Sequence, residues 1–312
     1  MSRSKRRIAS AVAAVVVGLT LTGCSQSVPE TSARTGKPLV VTTSAIAADL
    51  AARIGGDDID VQLLVPNGFD SHTYEPKPSE LALLGDADLI VLPDASLNGA
   101  ITGLVELSGD VTRVLDLNAA ALDASNLVYR EQGNASSANP HTWTSPILTA
   151  KWLTPLTERI VMLNGVDQER AEANVALLLE DLRILDTEIR AAFDKISSER
   201  RKLVVYHDAW EYFGREYGVP VIGAIQAASF AEPSAAELSA MAKQIRDENV
   251  TAFFGSEVFP SDVLEALESE TGARYIPDLA DDRLPGEPGM LEHSYIGMMR
   301  ANLALLIEGL SA

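Results

Sequence analysis

The chain opens with one short apolar block and then, from Pro38, switches repeatedly between two hydrophobic periods. PLVVTTS (38–44), DIDVQLLV (58–65) and DLIVLP (88–93) are β-branched, apolar runs that predict strands, with another short strand near Val111–Leu115. Between them AIAADLAARIG (45–55), SELALLGDA (79–87) and LNGAITGLVEL (97–107) carry apolar residues at three- and four-residue steps and predict helices. The second half repeats the alternation. KLVVYH (202–207), VPVIGAI (219–225), VTAFFG (250–255) and ARYIP (273–277) predict strands. Helices are predicted around DAWEYFGREYG, over SAAELSAMAKQIRDEN (234–249) and SDVLEALESETG (261–272), and over the closing EHSYIGMMRANLALLIEGL. Strand–helix alternation implies mostly parallel sheets with helices on their faces. The pieces follow no fixed repeat length, which excludes a solenoid.

Two segments break the rhythm. Residues 125–139 are polar and aperiodic, and predict irregular chain. Residues 166–200 lack Pro and Gly, and Val175, Leu178, Leu179, Leu182, Leu185 and Ile189 form one apolar stripe. About 30 helical residues would span roughly 45 Å, the length of a domain. The fold class expected is therefore α/β, with two pseudo-symmetric lobes, each a mostly parallel sheet flanked by helices. The lobes are expected at 38–165 and 201–312, joined by a linking helix at 166–200. A stiff strut between lobes predicts small motions in place of wide closure.

The first apolar block has a different meaning. Basic MSRSKRR precedes IASAVAAVVVGLTLTG, which is too short for a membrane span of about 20 residues and suits a signal sequence. Leu21-Thr22-Gly23-Cys24 resembles the lipobox of bacterial lipoprotein signal peptides. That resemblance implies removal of residues 1–23, a lipidated Cys24, a flexible tether over 24–37, and an anchored protein on the extracytoplasmic face of the cell membrane. Cys24 is the only cysteine, so disulfides and thiolate metal sites are excluded. A net charge of −19 argues against nucleic acid as a partner and is compatible with weak attraction of cations.

The chain has four histidines. His72 lies in the Pro- and Gly-rich loop VPNGFDSHTYEPKPSE (65–80), His207 ends the strand at 202–207, and His141 sits in NPHTW (139–143) before a helix starting near Pro146. Strand exits are where open α/β sheets hold ligands. Three imidazoles from two lobes could therefore meet at one ion if the fold closes a cleft between them. His293, at the start of the last helix, is expected at the surface. Asp281, Asp282 and Glu257, all at strand exits, are the carboxylates available to balance the charge.

GGDDIDVQLLVPNGFDSHTYEPKPSELALLGDADLIV resembles the first signature of the zinc- and manganese-type solute-binding lipoproteins of ABC transporters. NPHTW, YHDAWEYFGREYGVPVIG, AFFGSEVFP and DDRLPG…EHSYIGMMRANL resemble the later blocks of the same family. The resemblance implies one metal ion buried between the lobes, with His72, His141, His207 and Asp282 as ligands and Asp281 as the alternative to Asp282. Asp208, Glu257 and Asn139 are implied as supports for those ligands. Asn139 stands where the family carries Asp, and the first motif reads Asp-Ser-His where Asp-Pro-His is usual. Three imidazoles and one carboxylate suit Zn2+ better than Mn2+, which prefers more oxygen. The implied function is capture of a divalent metal and its delivery to ABC permease and ATPase subunits by a monomeric receptor without catalytic activity. The alternatives are a secreted zinc-dependent hydrolase, which would keep an open position for water, and an adhesin or chelated-metal binder on the same fold.

Overall fold

The computed structural model describes residues 36–107, 110–132, 135–226, 233–256 and 262–311, and Gly36–Ala312 forms a single compact unit. In chain order the elements are β1 (Leu39–Thr42), α1 (Ala45–Gly55), β2 (Asp60–Leu63), α2 (Pro78–Asp86), β3 (Leu89–Leu92), α3 (Gly99–Leu107), β4 (Val114–Asp116), α4 (Leu117–Ala121), β5 (Tyr129–Gln132), β6 (Ala135–Ala138) and α5 (Pro146–Val161). The long helix α6 (Gln168–Phe193) follows. Then come β7 (Leu203–His207), α7 (Glu211–Tyr217), β8 (Val221–Gln226), α8 (Ala235–Asp247), β9 (Ala252–Ser256), α9 (Asp262–Thr271), β10 (Arg274–Leu279) and α10 (Tyr295–Ser311).

Local chemistry sets several boundaries. Ser44 and Ser145 accept backbone N–H bonds at the starts of α1 and α5, Pro146 fills the first position of α5, and Ser234 with Glu237 makes a reciprocal capping box on α8. No helix among the described residues is long and apolar enough to cross a membrane.

Both lobes use the same topology. The first sheet runs β2-β1-β3-β4 and the second β8-β7-β9-β10, all parallel. In each, the first strand of the lobe lies between its second and third, so the strand order reverses beside β1 and beside β7. Such reversals open a crevice at the carboxyl ends of the strands.

The strands alternate between two cores. In β1, Val40 faces a large central cluster while Leu39 and Val41 face an outer one. In β7, Leu203 and Val205 face the central cluster while Val204 and Tyr206 face a separate outer one. The central cluster therefore takes one face of each sheet, and it is completed by α1, α5, α10 and α6.

Helix α6 has 26 residues, about 39 Å. Leu178, Leu182, Leu185 and Ile189 lie in the central cluster, and Ala171 and Phe193 extend the stripe at its two ends. Its flanks are tied to both lobes. Arg53 reaches Asp181 and Asp58 pairs with Arg170 on the first-lobe side. On the second-lobe side Arg190 pairs with Glu216, and Arg300 meets Glu188 at 2.8 Å.

Three sequence expectations need correction. Leu179 belongs to the exposed side of α6 and is 42% accessible. The helix ends at Phe193 and not near 200, where Ser198–Arg200 forms a separate 3-10 turn. Residues 125–139 are not wholly irregular, because β5 and β6 pair as an antiparallel two-stranded sheet.

Candidate metal centre

Three loops bring the histidines together. His72 follows β2, in a turn closed by Asp70, whose carboxylate accepts the His72 N–H at 2.9 Å and the Thr73 hydroxyl at 2.6 Å. The Asn98 side chain donates to Ser71 O at 2.8 Å and Tyr74 O at 3.0 Å, clamping the chain on both sides of His72. His207 is the last residue of β7. The period-2 pattern puts it on the face of Leu203 and Val205, the face turned to the shared core.

His141 is held by a denser network. Asn118 donates to Pro140 O at 2.9 Å and accepts from Trp152 Nε1 at 3.0 Å and from the Thr142 hydroxyl. The Thr144 hydroxyl stands between His141 O and Ala209 O, at 3.0 and 3.1 Å. This ties the His141 loop to the chain just beyond His207.

The rings converge. His141 Nε2 lies 3.0 Å from His72 Nε2 and 3.0 Å from His207 Nε2. The ring centroids form a near-equilateral triangle of 4.7, 5.0 and 5.1 Å. Ligands on a tetrahedral ion at about 2.05 Å stand roughly 3.3 Å apart, so the triangle needs only a few tenths of an ångström to accept one. His141 and His207 are buried and His72 is half-buried.

Asn139 sets the tautomer of His141. Its Nδ2 donates to Asp208 O at 3.1 Å, which identifies its other atom as the acceptor Oδ1. That Oδ1 receives the His141 backbone N–H at 3.1 Å and lies 2.7 Å from His141 Nδ1. An acceptor there requires Nδ1–H, so Nε2 keeps its lone pair and aims it at the other two rings. Asp208, placed among the supports from sequence, contributes its backbone carbonyl to this chain and is itself buried.

The carboxylates divide. Asp282 offers a ligand atom in a second group with His72 and Asp70, all within 4.8 Å of one another. Ser71 donates its hydroxyl to Asp282 Oδ2 at 2.8 Å. Burial pushes the Asp282 carboxyl up to about 6; the Ser71 hydrogen bond opposes that rise and the charge of Asp70 adds to it. Asp281 is buried, its carbonyl accepts from Trp143 Nε1 at 2.6 Å, and it joins neither group of converging ligand atoms among the described residues. His293 lies apart, with Nδ1 3.2 Å from Gly286 O. Glu257 and Cys24 fall outside the described residues.

Sequence reasoning missed Asp70, Asn98 and Asn118, and it read Ser71 only as a departure from the usual Asp-Pro-His. A polar residue within two positions of a ligand histidine was the available signal for Asp70 and Ser71. Asn98 and Asn118 carried none, because their partners are distant in the chain.

The chain is similar to known proteins along most of its length. The sequence profile of the family described as zinc-uptake complex component A, periplasmic, matches residues 40–309. The manganese ABC transporter substrate-binding lipoprotein PsaA of Streptococcus pneumoniae is 27% identical, over 98% of this chain and 99% of that protein. The iron ABC transporter substrate-binding lipoprotein MtsA of Streptococcus pyogenes serotype M1 is 26% identical over 93% of this chain and 94% of its own length. Among solved structures, the periplasmic zinc-binding protein TroA of Treponema pallidum superposes with a TM-score of 0.81 at 27% identity, covering 88% of this chain and 99% of that one.

Proposed function

Because the chain belongs to the periplasmic zinc-uptake complex component A family, we propose that it captures one divalent transition-metal ion, zinc in preference to manganese, and hands it to the permease and ATPase of an ABC transporter. Whole-length similarity to receptors named for manganese, iron and zinc makes it a metal-binding substrate-binding protein and not an enzyme. The ion is cargo, so the ligands must grip and later release it.

The observation that carries this reading is the meeting of three imidazole Nε2 atoms from both lobes at 3.0 Å contacts. We assign His72, His141, His207 and Asp282 as ligands. Asp282 is preferred over Asp281 because its carboxylate shares a ligand-atom group with His72. The preference for zinc rests on donor chemistry, three borderline nitrogens and one oxygen. The experiment is metal analysis of the purified protein with zinc–manganese competition, repeated on His72→Ala, His141→Ala and His207→Ala. One ion per chain, lost in each variant and retained as zinc against excess manganese, is expected. Retained binding in all three variants overturns the assignment.

The same reading makes Cys24 the lipidated N-terminus of a monomer tethered to the outer face of the cell membrane. It is supported by the lipoproteins among the relatives. Cys24→Ala should abolish incorporation of labelled palmitate and move the protein from the membrane to the soluble fraction. Unchanged membrane association would remove the anchor.

A further inference from the structure

The segment Ala280–Leu284, which carries Asp281 and Asp282, is pinned at each end by an asparagine amide that pairs with a backbone N–H and C=O. At one end Ala280 N donates to Asn302 Oδ1 at 2.8 Å, and Asn302 Nδ2 donates to Ala280 O at 2.7 Å. At the other end Leu284 N donates to Asn67 Oδ1 at 2.9 Å, and Asn67 Nδ2 donates to Leu284 O at 2.9 Å. Each pair imitates one rung of a sheet with a side chain in place of a strand.

The two ends differ in where the asparagine comes from and how wet it is. Asn302 lies on α10, in the same lobe as the segment, and is 1% exposed. Breaking its pair would strand buried donors and acceptors. Asn67 is exposed and comes from the other lobe, in the loop that carries His72. Its bonds to Leu284 are half-buried and exchange for water more readily than the buried ones of Asn302. The Asn302 end is therefore a fixed hinge; at the other end the Leu284 side chain stays in the central cluster while its backbone bonds to Asn67 can let go.

We propose that Asn67 is a positioning residue for the metal centre, a latch that holds the Ala280–Leu284 strap over the ion and sets how long it stays bound. The proposal rests on Asp282 being a ligand, as assigned above. One short loop does three things at once: Asn67 binds Leu284, Ser71 donates to Asp282, and His72 joins the imidazole triangle. Gly68 makes the approach possible. Its φ of +91° is strained for any residue with a side chain. When the latch opens, the backbone between Asp281, whose carbonyl Trp143 Nε1 still holds, and the buried Leu284 side chain is free to turn and takes the Asp282 carboxylate away from the imidazoles. His72 stays in place, because Asn98 still grips Ser71 O and Tyr74 O. Asn67 thus governs release more than capture.

The test is stopped-flow transfer of Zn2+ from the loaded full chain to excess chromogenic chelator. Asn67→Ala should release zinc about tenfold faster, the worth of two half-buried hydrogen bonds, with little change in association rate. The melting temperature of the metal-free protein should be unchanged in Asn67→Ala and lowered in Asn302→Ala. In an Asp282→Ala background, Asn67→Ala should have almost no further effect, because the ligand it positions is gone. Unchanged release, a lowered metal-free melting temperature in Asn67→Ala, or equal acceleration without Asp282 each overturns the latch. A wild-type chain that takes up no zinc, or a His72→Ala variant that takes up as much, overturns the receptor reading itself.

Discussion

An imidazole grips a metal only through a nitrogen without a proton, so the neighbours that choose the tautomer are part of the site. For His141 that neighbour is Asn139. An amide fixes the ring as well as a carboxylate but adds no charge. Asn139→Ala should therefore weaken zinc affinity by about 10- to 100-fold without abolishing it, measured by competition with a calibrated chelator. Beyond the imidazoles, which must lose any proton to bind, part of the pH dependence follows from Asp282 in its proposed role as ligand. Its carboxyl is raised to about 6 by burial, so above pH 6 it is ionised and binding releases no proton from it. Below pH 6 that proton must leave first, and affinity should fall by about tenfold per pH unit from this group alone. Titrating affinity between pH 5 and 8 in wild type and Asp282→Ala checks the sign: the slope below 6 should be shallower in the variant. At this scale the three histidines and the acidic pair were readable as chemistry from residue type and strand-exit position. The choice of Asp282 over Asp281 required the resemblance, because adjacent identical side chains look alike in sequence and differ only in the direction the backbone points them.

Among the elements, α6 was the most legible, since 26 residues without a breaker and with steps of three and four permit little else. Its burial was less legible. Leu178 and Leu179 both fit the stripe, yet only Leu178 lies in the central core. A helix presents neighbouring positions about 100° apart, and the width of the covered face is set by the elements that pack on it. Leu182→Ala should cost about 2–5 kcal/mol in denaturant unfolding, and Leu179→Ala about 0.5 or less. Equal effects would refute the one-sided packing. The β5–β6 pair was not legible because ASSA and its partner lack the apolar alternation that marks a half-buried strand. The strand ladder there forms without a core of its own sequence to announce it.

At the scale of the whole molecule, the two sheets and α6 share one hydrophobic cluster, with residues running from Val40 to Leu310. Opening the lobes widely would expose that apolar surface at about 25 cal/mol per Å2. Metal removal is therefore expected to leave the small-angle scattering profile almost unchanged, with movement confined to the Ala280–Leu284 strap. A large increase in radius of gyration would refute a rigid pair of lobes. By itself the sequence determined the alternation of strands and helices, the long connecting helix, and the kinds of ligand on offer. These are encoded in local periodicity and residue chemistry, which the chain carries wherever it goes. Only the tertiary structure decided that His72, His141 and His207 point at one another, that Asn139 orients one ring, and that Asn67 reaches across to Leu284. Those contacts join residues far apart in the chain, and their geometry depends on sheet order and packing that no single stretch specifies.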